Sequence, residues 1–501
     1  DLYQRQGRLA TVVKDRKAPG DIRDLYPPTI RDLSRDALFD LICREADFFI
    51  VGKKGGNAVQ ECPPKAVNCL HARADWPNAP VLNAVVTSPC LLPDGSVLQT
   101  PGFNRQFGID YHPSATYPPV EPHPSRQSAL AALDLLKEVV CDFPFYQPSH
   151  QSVAIAMMLT LACRPSFNGN TPLFLFDGNQ SGVGKSLIAT SCIFAMTGQA
   201  SSAMPCPPND EEMNKQLITM LKQGVYARVI DNVRNGMEIN FPSLDQVLTA
   251  KTVESRLLGS HESSGLLECR TIMSITGNNL KWGVDSDLDR RVAYCRLAFD
   301  GENPETRTNF RHGKEDVFQQ WIKAQHPRLI TAALTILRAY HCEGRPARDI
   351  PSMGGFDAWS QAVRQPLVWL DEPDPYETKM HMKELAGDAT SDTREILEAW
   401  LQLFGTRPVT VPELLEQQYQ LDGNQQPMLM RSAMDEYLDP RGDKNARSVG
   451  RVLAKYAHRW CNGLQLKQVR SARARQWQLK VHDDRLQQLL PYLQHVSPDW
   501  I

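Results

Sequence analysis

An apolar run, Pro172-Leu173-Phe174-Leu175-Phe176-Asp177, leads straight into Gly178-Asn179-Gln180-Ser181-Gly182-Val183-Gly184-Lys185-Ser186 and then into Leu187-Ile188-Ala189-Thr190. An apolar strand, a glycine-rich turn and a helix in that order, in a block that alternates strand-like and helix-like runs, predict an α/β P-loop unit. Backbone N–H groups of such a turn converge with the helix N-terminus into a nest for phosphate anions. In the Gly-x-x-x-x-Gly-Lys-Ser pattern Lys185 reaches the terminal phosphates and the Ser186 hydroxyl holds Mg²⁺. Asn179 stands where the pattern has its first Gly. Asn is the non-Gly residue that best tolerates positive φ, and Gly178 and Gly182 flank it, so the loop is expected to keep its shape.

Two further strand-like runs follow. Val225-Tyr226-Ala227-Arg228-Val229-Ile230 ends in Asp231, a carboxylate suited to the metal side of a nucleotide site, with Asn232 where a water-activating Glu is usual; this leaves the general base open. Thr271-Ile272-Met273-Ser274-Ile275-Thr276 ends in Gly277-Asn278-Asn279, and Asn278, with Asn279 as the near alternative, could orient water against a terminal phosphate. Arg290 and Arg291 then offer fixed cations for transition-state charge.

The 501 residues, 42% hydrophobic and 22% charged, exclude collagen, wholesale disorder and a disulfide miniprotein. The 12 cysteines form no Cys-x-x-Cys pair, which predicts reduced thiols in a cytoplasmic protein; Cys62, Cys69 and His71 lack the spacing of a zinc knuckle. No apolar run is long enough to span a bilayer, so no membrane role is expected. The first residue is not Met, which suggests a fragment of a longer protein or a reset numbering.

The chain reads as an N-terminal α+β region over 1–125 with an early helix around Arg35–Phe49, a helical segment over 126–170, a P-loop core over 171–300, and a helical subdomain over 301–389. A smaller unit over 390–484 and a tail over 485–501 follow, with Gly387–Thr393 as linker.

The series GNQSGVGKS, VIDN, SITGNN and DLDRR resembles the AAA+ ATPase core of superfamily-3-like helicases, especially the helicase portions of primase–helicase proteins of phages, plasmids and integrated elements. Asp94-Gly95-Ser96 with Pro101-Gly102-Phe103, Gly355–Ser360 and Asn445–Ser448 extend the resemblance over most of the chain. It implies a bacterial host cell and a ring, usually a hexamer. ATP would lie between subunits and single-stranded DNA in the central pore. Lys185 and Ser186 match the P-loop, Asp231 the second motif, Asn278 or Asn279 the sensor, and Arg290 or Arg291 an arginine finger acting on a neighbour. Arg256-Leu257-Leu258 and Leu266-Leu267-Glu268 read as a hairpin around a small polar tip; in related motors such a hairpin grips DNA, which makes Lys251, Arg256 and His261 candidate contacts.

Between Arg441 and Lys480, eleven basic residues face the single acid Asp443, although the whole chain is only −2. Asn445 can cap a helix in which Arg447, Arg451, Lys455 and Arg459 form one face and Val449, Val452, Leu453, Tyr456 and Trp460 the other, ending at Gly463. Alternating strands then surround Arg470-Ser471-Ala472-Arg473-Ala474, before Arg475. Behind helices at Thr393–Phe404 and Val411–Tyr419, this predicts a winged helix that binds duplex or forked DNA.

The predicted function is an ATP-dependent, ring-forming DNA helicase of a mobile element. The alternative is an ATP-controlled initiator or loader with little hydrolysis, for which Asn232 speaks. A small-molecule kinase leaves the basic C-terminal region without a role. No primase constellation is visible, so such a module would lie upstream or in trans, and residues 1–125 suggest at most an oligomerisation collar.

Overall fold

The computed structural model describes the chain except residues 1, 14–27, 52–56, 202, 235–236, 256–263, 283–286, 302, 383–395, 402, 418–445, 448, 451–452, 454–459, 462–463, 471–474 and 482–501. It divides into two units, Asp1–Met382 and Lys383–Ile501. The expected linker lies outside the described residues. Among the described residues no helix is long and apolar enough to cross a membrane.

The first unit is built on a five-stranded, wholly parallel sheet. Its strands are β1 (Leu173–Gly178), β2 (Ala203–Pro205), β3 (Ala227–Val233), β4 (Ile272–Asn278) and β5 (Val292–Leu297), in the order β2-β3-β4-β1-β5. Side chains alternate across each strand. Phe174 and Phe176 therefore enter one core with Val229, Ala293 and Cys295, while Leu173 and Leu175 enter another with Ile230, Met273 and Ile275. Burial on both faces is why β1 reads as a continuous apolar run.

The first core holds helices α1 (Arg126–Val140), α2 (Pro148–Cys163), α3 (Lys185–Thr197) and α6 (Glu315–Cys342). The second holds α4 (Asp210–Lys222) and α5 (Pro242–Thr249). Ser125 caps α1, its hydroxyl accepting the Ser128 N–H, and Leu133, Leu136 and Val140 recur on its buried face. α2 is apolar all round and almost entirely buried, as a helix enclosed on every side must be. The chain leaves β1 for the far edge at β2 and returns across β1 to β5. This reversal of direction opens a crevice at the C-terminal ends of the strands, where such sheets bind ligands.

Residues before α1 form short sheets, Tyr3–Arg5 with Arg8–Val13 and Thr29–Asp32, and Ala84–Val86 with Ile109–Tyr111 and Gly102–Asn104. The early helix is shorter than expected. It runs Arg35–Glu45 from a Ser34 cap, and Phe48–Val51 pairs instead with Asn57–Gln60, because aromatic and β-branched residues favour a pleated surface.

In the second unit, the described residues between 396 and 404 are helical and β6 (Val409–Thr410) precedes α7 (Val411–Gln417). Three strands follow, β7 (Trp460–Cys461), β8 (Leu464–Arg470) and β9 (Arg475–Val481), in an antiparallel sheet of order β6-β9-β8-β7. Trp400, Phe404, Leu414, Val449, Leu453, Leu466 and Trp477 share its core. Trp460 is not on the basic helix as expected: its backbone pairs with Gln465 as a strand.

Candidate nucleotide site

The glycines of the loop between β1 and α3 are needed for different reasons. Gly182 and Gly184 lie at φ +79° and +95°, conformations that L side chains rarely adopt. A Cβ on Gly184 would also sit 2.9 Å from the Phe143 ring. Gly178 needs space, since a Cβ there would meet the Lys185 side chain and Val183 at 2.8 Å.

Asn179 corrects the sequence reading, because it is not among the positive-φ residues. Its amide instead fastens the loop to the chain after β5. Nδ2 donates to the Phe299 carbonyl (2.9 Å), Oδ1 accepts the Phe299 N–H (3.2 Å), and its own N–H donates to the Leu297 carbonyl (3.1 Å). Gln180 Nε2 adds bonds to the carbonyls of Phe299 and Gly301. The missing glycine is replaced by a clamp, and a glycine could not make it. Val183 is buried behind the loop, and the Ser181 hydroxyl accepts from Asn278 Nδ2 at 3.2 Å.

Lys185, 9% exposed, opens α3 and donates from Nζ to the Gln180 carbonyl at 3.3 Å. Burial lowers its pKa, while Asp177 and Asp231 pull it back up. Ser186 Oγ donates to Asp231 Oδ1 at 2.6 Å, and Thr276 Oγ1 donates to the same oxygen. Three adjacent strands and one helix thus deliver an ammonium, a hydroxyl and a carboxylate to one spot. A hydroxyl and a carboxylate already in contact are the hard oxygen donors that a magnesium ion with its water shell requires.

Asn232 sits at φ +60°, where β3 slips register against β4 between Ile230 and Val233. Its N–H donates to Thr276 Oγ1 at 3.1 Å. A left-handed residue within a bulge favours Asn over Glu, so the departure from the usual pattern has a backbone cause.

Asn278 lies beside Gly178 in register, and its buried Oδ1 has no hydrogen-bond partner among the described residues. Asn279, at φ +45°, donates its N–H to the Gly178 carbonyl, and its Oδ1 accepts from Arg296 Nη2 at 2.9 Å. The two amides therefore divide the work: Asn279 holds structure, and Asn278 presents an unused acceptor.

The sequence reading missed what lies beneath. Asp177, 1% exposed, pairs with Arg296 and accepts from Tyr294 OH (2.7 Å) and the Leu280 N–H (3.1 Å). His150 Nδ1 accepts the Arg296 N–H at 3.0 Å, and burial drives this imidazole down to about 3. The signal available was a charge at the end of each of two apolar strands, Asp177 and Arg296, which face one another in register. Beside the loop a cleft of about 410 Å³ is lined by Phe143, Arg307, Phe310 and Phe318, aromatic and cationic groups suited to a flat base.

Other expected residues are not brought to this spot. Arg290 is exposed on the turn Asp287–Arg290, and Arg291 Nη1 pairs with Asp245 Oδ1 at 2.8 Å, both before β5 begins. The Arg291 carbonyl accepts from Leu173 N–H, so the pair lies at the N-terminal ends of strands whose C-terminal ends carry the loop. Lys251 is exposed beside a stem formed by Thr252–Val253 and Leu267–Glu268, so the first arm of that hairpin begins earlier than Arg256. Arg256 and His261 lie outside the described residues, as do Arg451, Lys455 and Arg473. Arg447 is exposed on a helical stretch, and Arg475 opens β9 opposite Arg470. Cys62, Cys69 and His71 do not gather; His71 bonds the Leu33 carbonyl.

No protein-family model and no curated protein matches the chain. Among solved structures, one described as the active helicase Cch of SCCmec type IV overlaps 95% of this chain and 91% of its own at 11% identity, with a TM-score of 0.33. Another, the apo A form of the NrS-1 C-terminal region, overlaps 89% and 98% at 11% identity, with a TM-score of 0.36. Overlaps this loose assign neither family nor activity.

Proposed function

We propose that the chain is an ATP-dependent DNA helicase with a superfamily-3-like AAA+ core, working as a ring, in six copies by the resemblance, in the replication of a phage, plasmid or integrated element. The observation that carries the reading is the meeting of Lys185, Ser186 and Asp231 at the C-terminal ends of adjacent parallel strands, beside a loop with two left-handed glycines. The backbone of residues 179–184 would cradle the phosphates, with Lys185 on the terminal ones. Ser186 and Asp231 would hold Mg²⁺, which when bound neutralises phosphate charge. Asn278 Oδ1 would accept a proton of the attacking water and so fix its approach. Arg290 or Arg291 would serve a neighbouring copy. Lys251 with Arg256 and His261 would meet single-stranded DNA. The second unit would act as a winged helix, with Arg447, Arg451, Lys455, Arg473 and Arg475 on duplex or fork phosphates, and a primase module would act upstream or in trans.

The test is ATP turnover and fork unwinding by the full chain. Single-stranded DNA should stimulate turnover, and Lys185→Ala should abolish both activities; unwinding that survives this substitution overturns the reading. A second reading, an initiator or loader that barely hydrolyses, is favoured by Asn232, which puts no carboxylate where water activation is usual. ATP-dependent duplex binding without turnover would select it.

A further inference from the structure

We propose that Glu138, Cys141 and His312 form a seat for one divalent transition-metal ion of the zinc class, next to the cleft beside the phosphate-binding loop. Glu138 and Cys141 are three residues apart at the C-terminal end of α1, a spacing that puts both on one helix face. His312 comes from the segment leading into α6. One carboxylate oxygen, the thiol sulfur and one imidazole nitrogen lie within 4.8 Å of one another. Zinc bonds of about 2.0–2.3 Å in a tetrahedron put neighbouring donors roughly 3.3–3.8 Å apart, so the widest separation need close by only about 1 Å and the 2.9 Å contact of Glu138 with His312 need open slightly. Cys141 is exposed, and a χ1 rotation supplies such a movement.

The donor set decides the ion. Magnesium and calcium ask for oxygen alone, whereas thiolate, imidazole and carboxylate together suit zinc and leave a fourth position for water. On binding, the thiol gives its proton to solvent and the sulfur lone pair to the metal, with no change of oxidation state.

Surrounding groups already orient the ligands. The His312 ring stacks on Trp321 with centroids 3.8 Å apart, and the His312 backbone N–H donates to Asp142 Oδ2 at 3.2 Å, which fixes where the residue enters the seat. Arg311 Nη1 holds Glu138 Oε1 at 2.9 Å, which leaves Oε2 toward His312 Nε2, also at 2.9 Å. An outer partner that fixes the carboxylate in this way is what metal ligands normally have, and the Trp321 ring fixes the plane of the imidazole. The seat adjoins the cleft through Asp142 and Phe143. The Asp142 carbonyl accepts from Arg307 Nη2 at 2.7 Å, and Phe143 lies under Gly184.

The experiment titrates the full chain with Co²⁺ and then displaces it with Zn²⁺ against a chromophoric chelator, alongside Cys141→Ser and His312→Gln. The wild type should take up one tight equivalent with a near-ultraviolet thiolate-to-cobalt band. Each variant should bind at least about tenfold more weakly, and Cys141→Ser should lose the band. Zn²⁺ should raise the wild-type Tm and leave both variants unmoved. If the trio is only a Glu–His hydrogen bond beside a bystander thiol, the variants will match the wild type in cobalt uptake, spectrum and zinc response, and the proposal is overturned. The readouts do not involve ATP, so failure of the motor reading would leave them intact.

Discussion

The buried pair of Asp177 and Arg296 sets a measurable balance beneath the phosphate-binding loop. Their side chains are 2% and 11% exposed, so water screens them little. Arg296→Met leaves the Asp177 carboxylate with the Leu280 N–H and the Tyr294 hydroxyl but without its ion-pair partner, and strips Asn279 Oδ1 of its donor. Removing one partner of such a pair costs about 3–5 kcal/mol, because a desolvated charge stays behind. Asp177→Asn in the same chain removes that charge while the amide oxygen still accepts the Leu280 N–H and the amide NH2 can donate to the Tyr294 hydroxyl oxygen, so the double variant should recover at least about 2 kcal/mol of the loss. Urea unfolding of wild type, both single variants and the double, followed by intrinsic fluorescence, gives the coupling energy directly. Additive losses, or an Arg296→Met cost below about 1 kcal/mol, would refute the reasoning and make the pair an incidental contact.

Thr276→Val keeps the shape of a buried side chain but removes the donor to Asp231 and the acceptor for the Asn232 N–H. Stability should fall by about 1–3 kcal/mol and magnesium-nucleotide affinity by roughly tenfold, read by calorimetry; unchanged affinity would detach Thr276 from the site. At Asn232, substitution by Glu should cost about 1–2 kcal/mol more than substitution by Gly, because φ is +60°; equal midpoints in urea would deny the strain. His150 is held neutral with a folded pKa near 3, pushed down first by burial and then by the facing His381, against about 6.5 unfolded. Its contribution is therefore complete above about pH 6.5 and is lost as pH falls toward 3, by up to about 1.4 kcal/mol per unit. Urea midpoints from pH 7 to 5 should show that slope reduced by one proton in His150→Leu, and an identical slope would assign the proton elsewhere.

Much of the site was legible because its demands are local. Gly182, Gly184, Lys185 and Ser186 announce a turn that only their order can make, and Asp231 ends an apolar run at a distance a crossover requires. What escaped was set by partners distant in sequence. Asn179 reads as a weakened glycine until Phe299 is beside it, and Asp177 reads as a strand terminus until register brings Arg296 opposite. The helix prediction through Trp460 failed differently. Apolar residues four apart continue through Tyr456 to Trp460, yet Trp460 lies three residues before Gly463 and pairs with Gln465 as a strand. Periodicity alone does not separate the end of a helix from the start of an apolar strand.

The parallel sheet also fixes who can help whom. All five strands end at the edge that carries Lys185 and Asp231, and the arginine pair precedes β5 at the other edge. Six residues of strand span about 20 Å, beyond the reach of a side chain, so neither arginine serves its own loop. Arg290 is the more exposed of the two, so it is the one we propose as the finger. In the proposed ring, Arg290→Ala should abolish turnover while leaving nucleotide affinity intact, as Lys185→Ala abolishes it from the other side of the interface. An equal mixture of the two variants then rebuilds some complete sites, where an intact loop of one copy meets an intact arginine of the next. Random assembly through head-to-tail contacts makes about a quarter of the interfaces complete, so the mixture should regain up to about a quarter of wild-type ATP turnover. A mixture as inactive as its components, despite exchange of subunits, would mean that the arginine does not act across an interface.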